Sequence, residues 1–124
     1  MKYDDSYNPP APIAEIVLRN IETGERSAKI KVLLDTGSDI SLVPISILES
    51  LQIQPSEESV NLFGFDENKS TAELFDLQIV FLGKRITGNY CGINDTIGIL
   101  GRDVLNEFCI TFDGKNLEWK ECAP

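Results

Sequence analysis

The chain has 124 residues, 42% apolar and 25% charged, with a net charge of −9 and no histidine. That length and balance suit one folded domain, and the negative charge without any Lys/Arg cluster excludes a phosphate-neutralising surface, so neither nucleic acid nor an anionic membrane is an expected partner. The missing histidine removes Ser-His-Asp and Cys-His nucleophile systems, the H-E-x-x-H metalloprotease motif and His-ligated catalytic zinc together.

In chain order, residues 1–12 are polar with Pro9, Pro10 and Pro12 and read as an extended N-terminal arm, leaving 13–124 as the folded domain. Met1-Lys2-Tyr3-Asp4-Asp5 lacks the apolar core of a signal peptide, and no apolar run approaches the roughly 20 residues of a spanning helix. A soluble, cytoplasmic protein is expected. Ile13 to Asn20 reads as a strand, and Ile21 to Glu25 as a turn into a second strand, Ser27 to Leu34, with Ile30, Val32 and Leu34 on one face. Ile40 to Val43 resumes extended structure, and Pro44 suits the first position of a short helix, Ile45 to Leu51.

Val60 to Gly64 and Thr71 to Leu82 are the next apolar stretches, and the polar tip Phe65 to Lys69 between them has the character of a hairpin closure. In the longer one Phe75, Leu77, Ile79 and Phe81 alternate with Asp76, Gln78 and Val80, which predicts one buried and one wet face. Gly83-Lys84 turns the chain into a strand from Arg85 to Ile93. Ile97 to Gly101 is a short apolar strand, Arg102 to Glu107 a helical turn or two, and Cys109–Phe112 with Leu117–Lys120 a hairpin around Asp113 to Asn116. The sum is an all-β domain with two short helices. Cys91, Cys109 and Cys122 are an odd number without C-x-x-C spacing, so reduced thiols are expected and no structural zinc. Trp119 belongs either to the core or to a terminal strand at a dimer interface.

The stretch Lys29 to Pro44 drives a buried strand out onto Asp35-Thr36-Gly37-Ser38-Asp39. One reading is a structural turn, which favours Gly and Asp. A calcium loop is a poorer one, since the positions that an EF-hand fills with an acid or amide, Gly and Glu hold Gly37, Ile40 and Ser46. The third reading is chemical. Two carboxylates held together cannot both ionise, so one keeps a proton while the other takes one from a shared water. Gly37 would let a backbone N–H approach the Asp35 carboxylate, Thr36 would lock the loop, and the Ser38 hydroxyl could reach an outer carboxylate oxygen.

Leu33-Leu34-Asp35-Thr36-Gly37-Ser38-Asp39, followed by Ile97-Gly98-Ile99-Leu100-Gly101-Arg102-Asp103-Val104-Leu105, resembles the retropepsin-like aspartic proteases. The likeness runs in motif order over about residues 13 to 120. It implies a retropepsin-like acid protease half-barrel, homodimeric, that binds a polypeptide substrate and needs neither metal nor other cofactor. It makes Asp35 the catalytic aspartate, with Thr36 gripping the opposite loop and Gly37 offering its backbone to carboxylate and substrate. Ser38 and Asp39 would line the substrate, with Asp39 paired to Arg102. Arg102 and Asp103 would support the loop from beneath, although Arg102 also reads as an ordinary surface charge. Phe63-Gly64-Phe65 would be the flap over a bound peptide, or simply the packing residues of a hairpin.

There is one D-T-G. Asp95-Thr96-Ile97 lacks the glycine and reads as a turn, so a dyad requires Asp35 from two identical chains. Charge of −9 on each chain opposes that pairing at neutral pH. Two other functions fit the same residues: a dimeric peptide-binding module of this fold without catalysis, and an acidic β domain that binds basic partners through bulk charge.

Overall fold

The computed structural model describes residues 1–63 and 69–123, with the backbone alone for 57–63 and 69–72. Its strands are β1 (Ile13–Arg19), β2 (Ile30–Leu34), β3 (Leu42–Pro44), β4 (Pro55–Phe63), β5 (Lys69–Phe81), β6 (Lys84–Ile93), β7 (Gly98–Leu100), β8 (Ile110–Asp113) and β9 (Glu118–Glu121). Two short helices, α1 (Ile45–Ser50) and α2 (Arg102–Leu105), follow β3 and β7 directly. Among the described residues no helix is long and apolar enough to cross a membrane.

Hydrogen bonding links the strands in the order β1-β2-β7-β3-β6-β5-β4, and β1 also pairs with β5. Six strands therefore close into a barrel, with β4 added outside β5. Closure removes the open edges that six short strands would otherwise present. β2 runs parallel to β7, with Leu33 opposite Ile99, and β3 runs parallel to β6. The first of these pairings brings the ends of β2 and β7, far apart in sequence, to one side of the barrel.

The core follows the alternation in the sequence. Ala14, Ile16 and Leu18 of β1, Ile30, Val32 and Leu34 of β2, and Phe75, Leu77, Ile79 and Phe81 of β5 are buried, while Asp76 is exposed. Trp119 of β9 is a core residue. Its ring stacks against Phe81 with centroids 6.1 Å apart, Phe81 meets Phe108 edge-on at 5.0 Å, and the indole N–H donates to the Ile13 carbonyl at 3.3 Å. Aromatic pairs of this geometry add to the effect of their buried area.

Several expectations change. The first twelve residues are not an extended arm. Lys2 bridges Glu118 of β9, the Tyr3 N–H donates to the Leu117 carbonyl at 2.8 Å, and Asp4 and Ala11 close a loop on each other. β4 begins at Pro55, earlier than its polar residues suggest, because β5 supplies a backbone partner for an otherwise hydrophilic run. Cys109 and Cys122 are disulfide-bonded, with Cα atoms 5.2 Å apart, while Cys91 is buried and free. The pairing is a consequence of the β8–β9 register, which places the two cysteines across the base of one hairpin.

Candidate active site

β2 is buried on alternate residues until Leu34, and there the chain leaves the barrel. The Asp35 N–H is caught at once by the Leu100 carbonyl of β7, 3.0 Å away, so the first loop residue still belongs to the sheet. The loop then turns back on itself. The Gly37 N–H donates to Asp35 Oδ1 at 2.9 Å, and the Ser38 N–H to the Asp35 carbonyl at 3.2 Å. A side chain at residue 37 would start 3.1 Å from Asp35 Oδ1, so glycine suits the close approach. Asp35 is half-buried, with Thr36, Gly37 and Asp39 exposed beside it.

The loop rests on the segment that ends β7 and opens α2. Arg102 donates its backbone N–H to the Ser38 carbonyl at 2.8 Å and Nη1 to the Thr36 carbonyl at 2.7 Å. Gly101 lies so close beneath that a Cβ there would meet Ser38 O at 2.8 Å and Ile40 O at 2.9 Å. Asp103 accepts the Ser41 N–H at 2.9 Å and the Ser41 hydroxyl at 2.6 Å. Arg102 and Asp103 thus both bond to the segment from Thr36 to Ser41.

Two side-chain contacts differ from expectation. Arg102 holds the Thr36 carbonyl rather than the Asp39 carboxylate, and Lys84–Glu107 at 3.5 Å is the ion pair found among the described residues. A fixed backbone acceptor competes well here, since an ion pair between exposed side chains gains little. The Ser38 hydroxyl donates to the Ile40 carbonyl at 2.7 Å and so turns away from the carboxylate. Ser41 was missed altogether. It is fully buried just before β3, and the signal for it was its parity with buried Val43 in the extended run.

Of the expected flap, Phe63 is the last residue of β4, and Gly64 and Phe65 lie outside the described residues. Asp95 accepts the N–H groups of Thr96 and Ile97, at 2.6 and 3.2 Å, in an exposed turn. Half-buried Leu33, Ile99 and Leu42 lie in register on three adjacent strands and form an apolar surface leading to Asp35. Among the described residues no group of three or more carboxylates or thiols could hold a metal ion.

No protein-family model and no curated protein sequence matches the chain. Solved structures do match in fold. EIAV protease complexed with the inhibitor HBY-793 superposes with a TM-score of 0.55 at 21% identity, over 78% of this chain and 86% of that one. Simian Foamy Virus (mac) protease gives a TM-score of 0.56 at 15% identity, over 77% of this chain and 92% of that one. With a closed β-barrel, two short helices and the Asp35 loop seated on the Gly101-Arg102-Asp103 turn, the chain has the retropepsin-like fold.

Proposed function

We propose that the protein is an aspartic endopeptidase whose catalytic pair is Asp35 from each of two identical chains. The observation that carries this reading is the state of the Asp35 carboxyl. One oxygen is fixed by the Gly37 N–H, and the backbone on either side is tied to Leu100 and Arg102. A carboxyl so restrained is prepared to meet a second copy of itself across a twofold axis, and one carboxyl alone lacks the complementary acid.

In the pair, like-charge repulsion keeps one proton between the two groups. The ionised carboxylate takes a proton from the bridging water as the water oxygen bonds to the scissile carbonyl carbon. The protonated carboxyl donates to the carbonyl oxygen, which becomes a hydroxyl of the tetrahedral diol. A carboxyl proton then passes to the amide nitrogen, the C–N bond breaks, and the diol collapses to a carboxylic acid with return of the second hydroxyl proton. Substrate would lie extended over the loops, held by backbone hydrogen bonds and by apolar side chains on the Leu33–Ile99–Leu42 surface. Phe63, Gly64 and Phe65 would cover it, and Thr36 of each chain would grip the facing loop. Asp39, exposed and free of Arg102, remains available to the substrate backbone.

The test is cleavage of a mixed peptide library at pH 4 to 7, read by mass spectrometry, with wild type and Asp35→Asn side by side. Cuts between apolar residues should fall by about 10²–10⁴-fold or more in the variant. Peptides bound but uncut by a proven dimer would instead assign a non-catalytic binding module, and binding that vanishes with salt and ignores Asp35 would assign a bulk-charge surface.

A further inference from the structure

The Asp35 loop and the Leu100–Asp103 segment are joined rung by rung. Asp35 bonds to Leu100, Thr36 and Ser38 to Arg102, and Ser41 to both Gly101 and Asp103. The Ser41 rung is the densest. Its N–H and hydroxyl donate to the two oxygens of Asp103 at 2.9 and 2.6 Å, its oxygen accepts the Gly101 N–H at 2.9 Å, and its carbonyl accepts the Cys91 N–H of β6 at 3.1 Å. Ser41 is 0% exposed and its bond from Gly101 is buried, while Asp103 closes the network from the exposed side.

Donor identity fixes the direction of this chain of bonds. The Gly101 N–H can only donate, and the Ser41 hydroxyl that accepts it keeps its own proton for Asp103, whose two oxygens accept from Ser41. Where a carboxamide offers one oxygen, a carboxyl group offers two for such a pair of bonds. The residue it steadies, Gly101, adjoins Leu100, whose carbonyl holds the Asp35 N–H, and Arg102, which holds Thr36 and Ser38. Only glycine fits between this turn and the loop, because a Cβ at residue 101 would meet the Ser38 and Ile40 carbonyls at 2.8 and 2.9 Å.

Resting on the proteolytic reading above, we infer that Ser41 and Asp103 are positioning residues for the reaction at Asp35. Their bonds set where the Gly101 turn lies, and that turn sets the Asp35 carboxyl. In a dyad the two carboxyls must share one water, so an error of a fraction of an ångström is doubled by the twofold axis. Misplacement by about 1 Å costs on the order of 10²-fold in rate. The effect belongs to kcat, since in this reading peptide lies on Leu33, Ile99 and Leu42, while the Ser41 hydroxyl bonds to Gly101 and Asp103.

The experiment compares wild type with Ser41→Ala, Asp103→Asn and the double variant, using a peptide that the wild type cleaves. Folded fraction is checked by circular dichroism and dimer fraction by sedimentation. Each single variant should lower kcat by about 10–10²-fold with KM within about threefold. The double variant should be little worse than the worse single one, because the two side chains act as a unit. Amide hydrogen exchange gives an arm that needs no cleavage: protection at Asp35, Gly37 and Ser38 should fall in both variants while Leu77 and Ile79 of β5 keep theirs. If Ser41→Ala does not fold, Asp103→Asn carries the test. Wild-type kcat in a folded variant overturns the inference, as does loss of protection that is uniform over loop and β5. A wild type that cuts no peptide overturns the proteolytic reading instead, and the exchange arm then decides the positioning by itself.

Discussion

At the scale of the residue, the molecule shows how little of a polar contact is written in the identity of one side chain. Asp35 and Gly37 were legible because two constraints, a carboxylate and a backbone without Cβ, had to coincide at one turn. The Asp39–Arg102 pair was not, because a guanidinium with a carboxylate and a carbonyl in reach chooses by geometry that only the folded loop defines. Ser41 sits in an otherwise apolar run at a buried parity, which is a readable signal once the strand is known. Tyr90 has a consequence for pH. Its hydroxyl donates to the Ile86 carbonyl at 2.8 Å, and burial first, then the charges of Asp103 and Glu107, push the phenol well above its usual pKa. The unfolded phenol ionises near pH 10 while the folded one stays neutral, so this contribution is complete below about pH 10 and is lost as pH rises toward the folded value. Urea titrations at pH 7 and pH 11 should therefore show a fall in stability that Tyr90→Phe reduces. An equal fall in both proteins would contradict it.

At the scale of the element, strands with alternating burial were legible and those fixed by partners were not. β1, β2 and β5 follow their apolar alternation, whereas the polar start of β4 becomes a strand because β5 offers an open ladder. Likewise the N-terminal residues, with prolines and no apolar pattern, are placed by β9 and by the buried Trp119 rather than by their own propensities. The disulfide was hidden because two cysteines 13 residues apart carry no bridging signal until a hairpin register joins them. A loop of that size is worth about 3 kcal/mol on closure. Reduction with a phosphine at neutral pH should lower stability by about 2–3 kcal/mol in a denaturant titration, and Cys109→Ser with Cys122→Ser should match it. Wild-type stability in the double variant would show that the hairpin is held by Trp119 and β9 pairing alone.

At the scale of the whole molecule, the all-β class and the order of the motifs were readable, while barrel closure through β1–β5 and the parallel pairs β2–β7 and β3–β6 were not. Such contacts join residues tens of positions apart, and no local pattern reports them. The proposed dimer meets an opposing force in the 20 acidic against 11 basic residues of each chain. Lowering the pH from 7.5 to 5, or raising salt from about 0.05 to 0.5 M at pH 7.5, should each strengthen dimerisation about tenfold or more in sedimentation equilibrium. Indifference to both would remove repulsion as a determinant of assembly. The sheet made by residues 1–3, β9 and β8 bears on the same equilibrium. Among the described residues the strands of this sheet come from one chain, so in the proposed dimer this sheet forms without a partner. In the proposed dimer, concentration then acts as a throttle: the rate per chain falls on dilution while this sheet stays formed, and recovers when chains are brought back together.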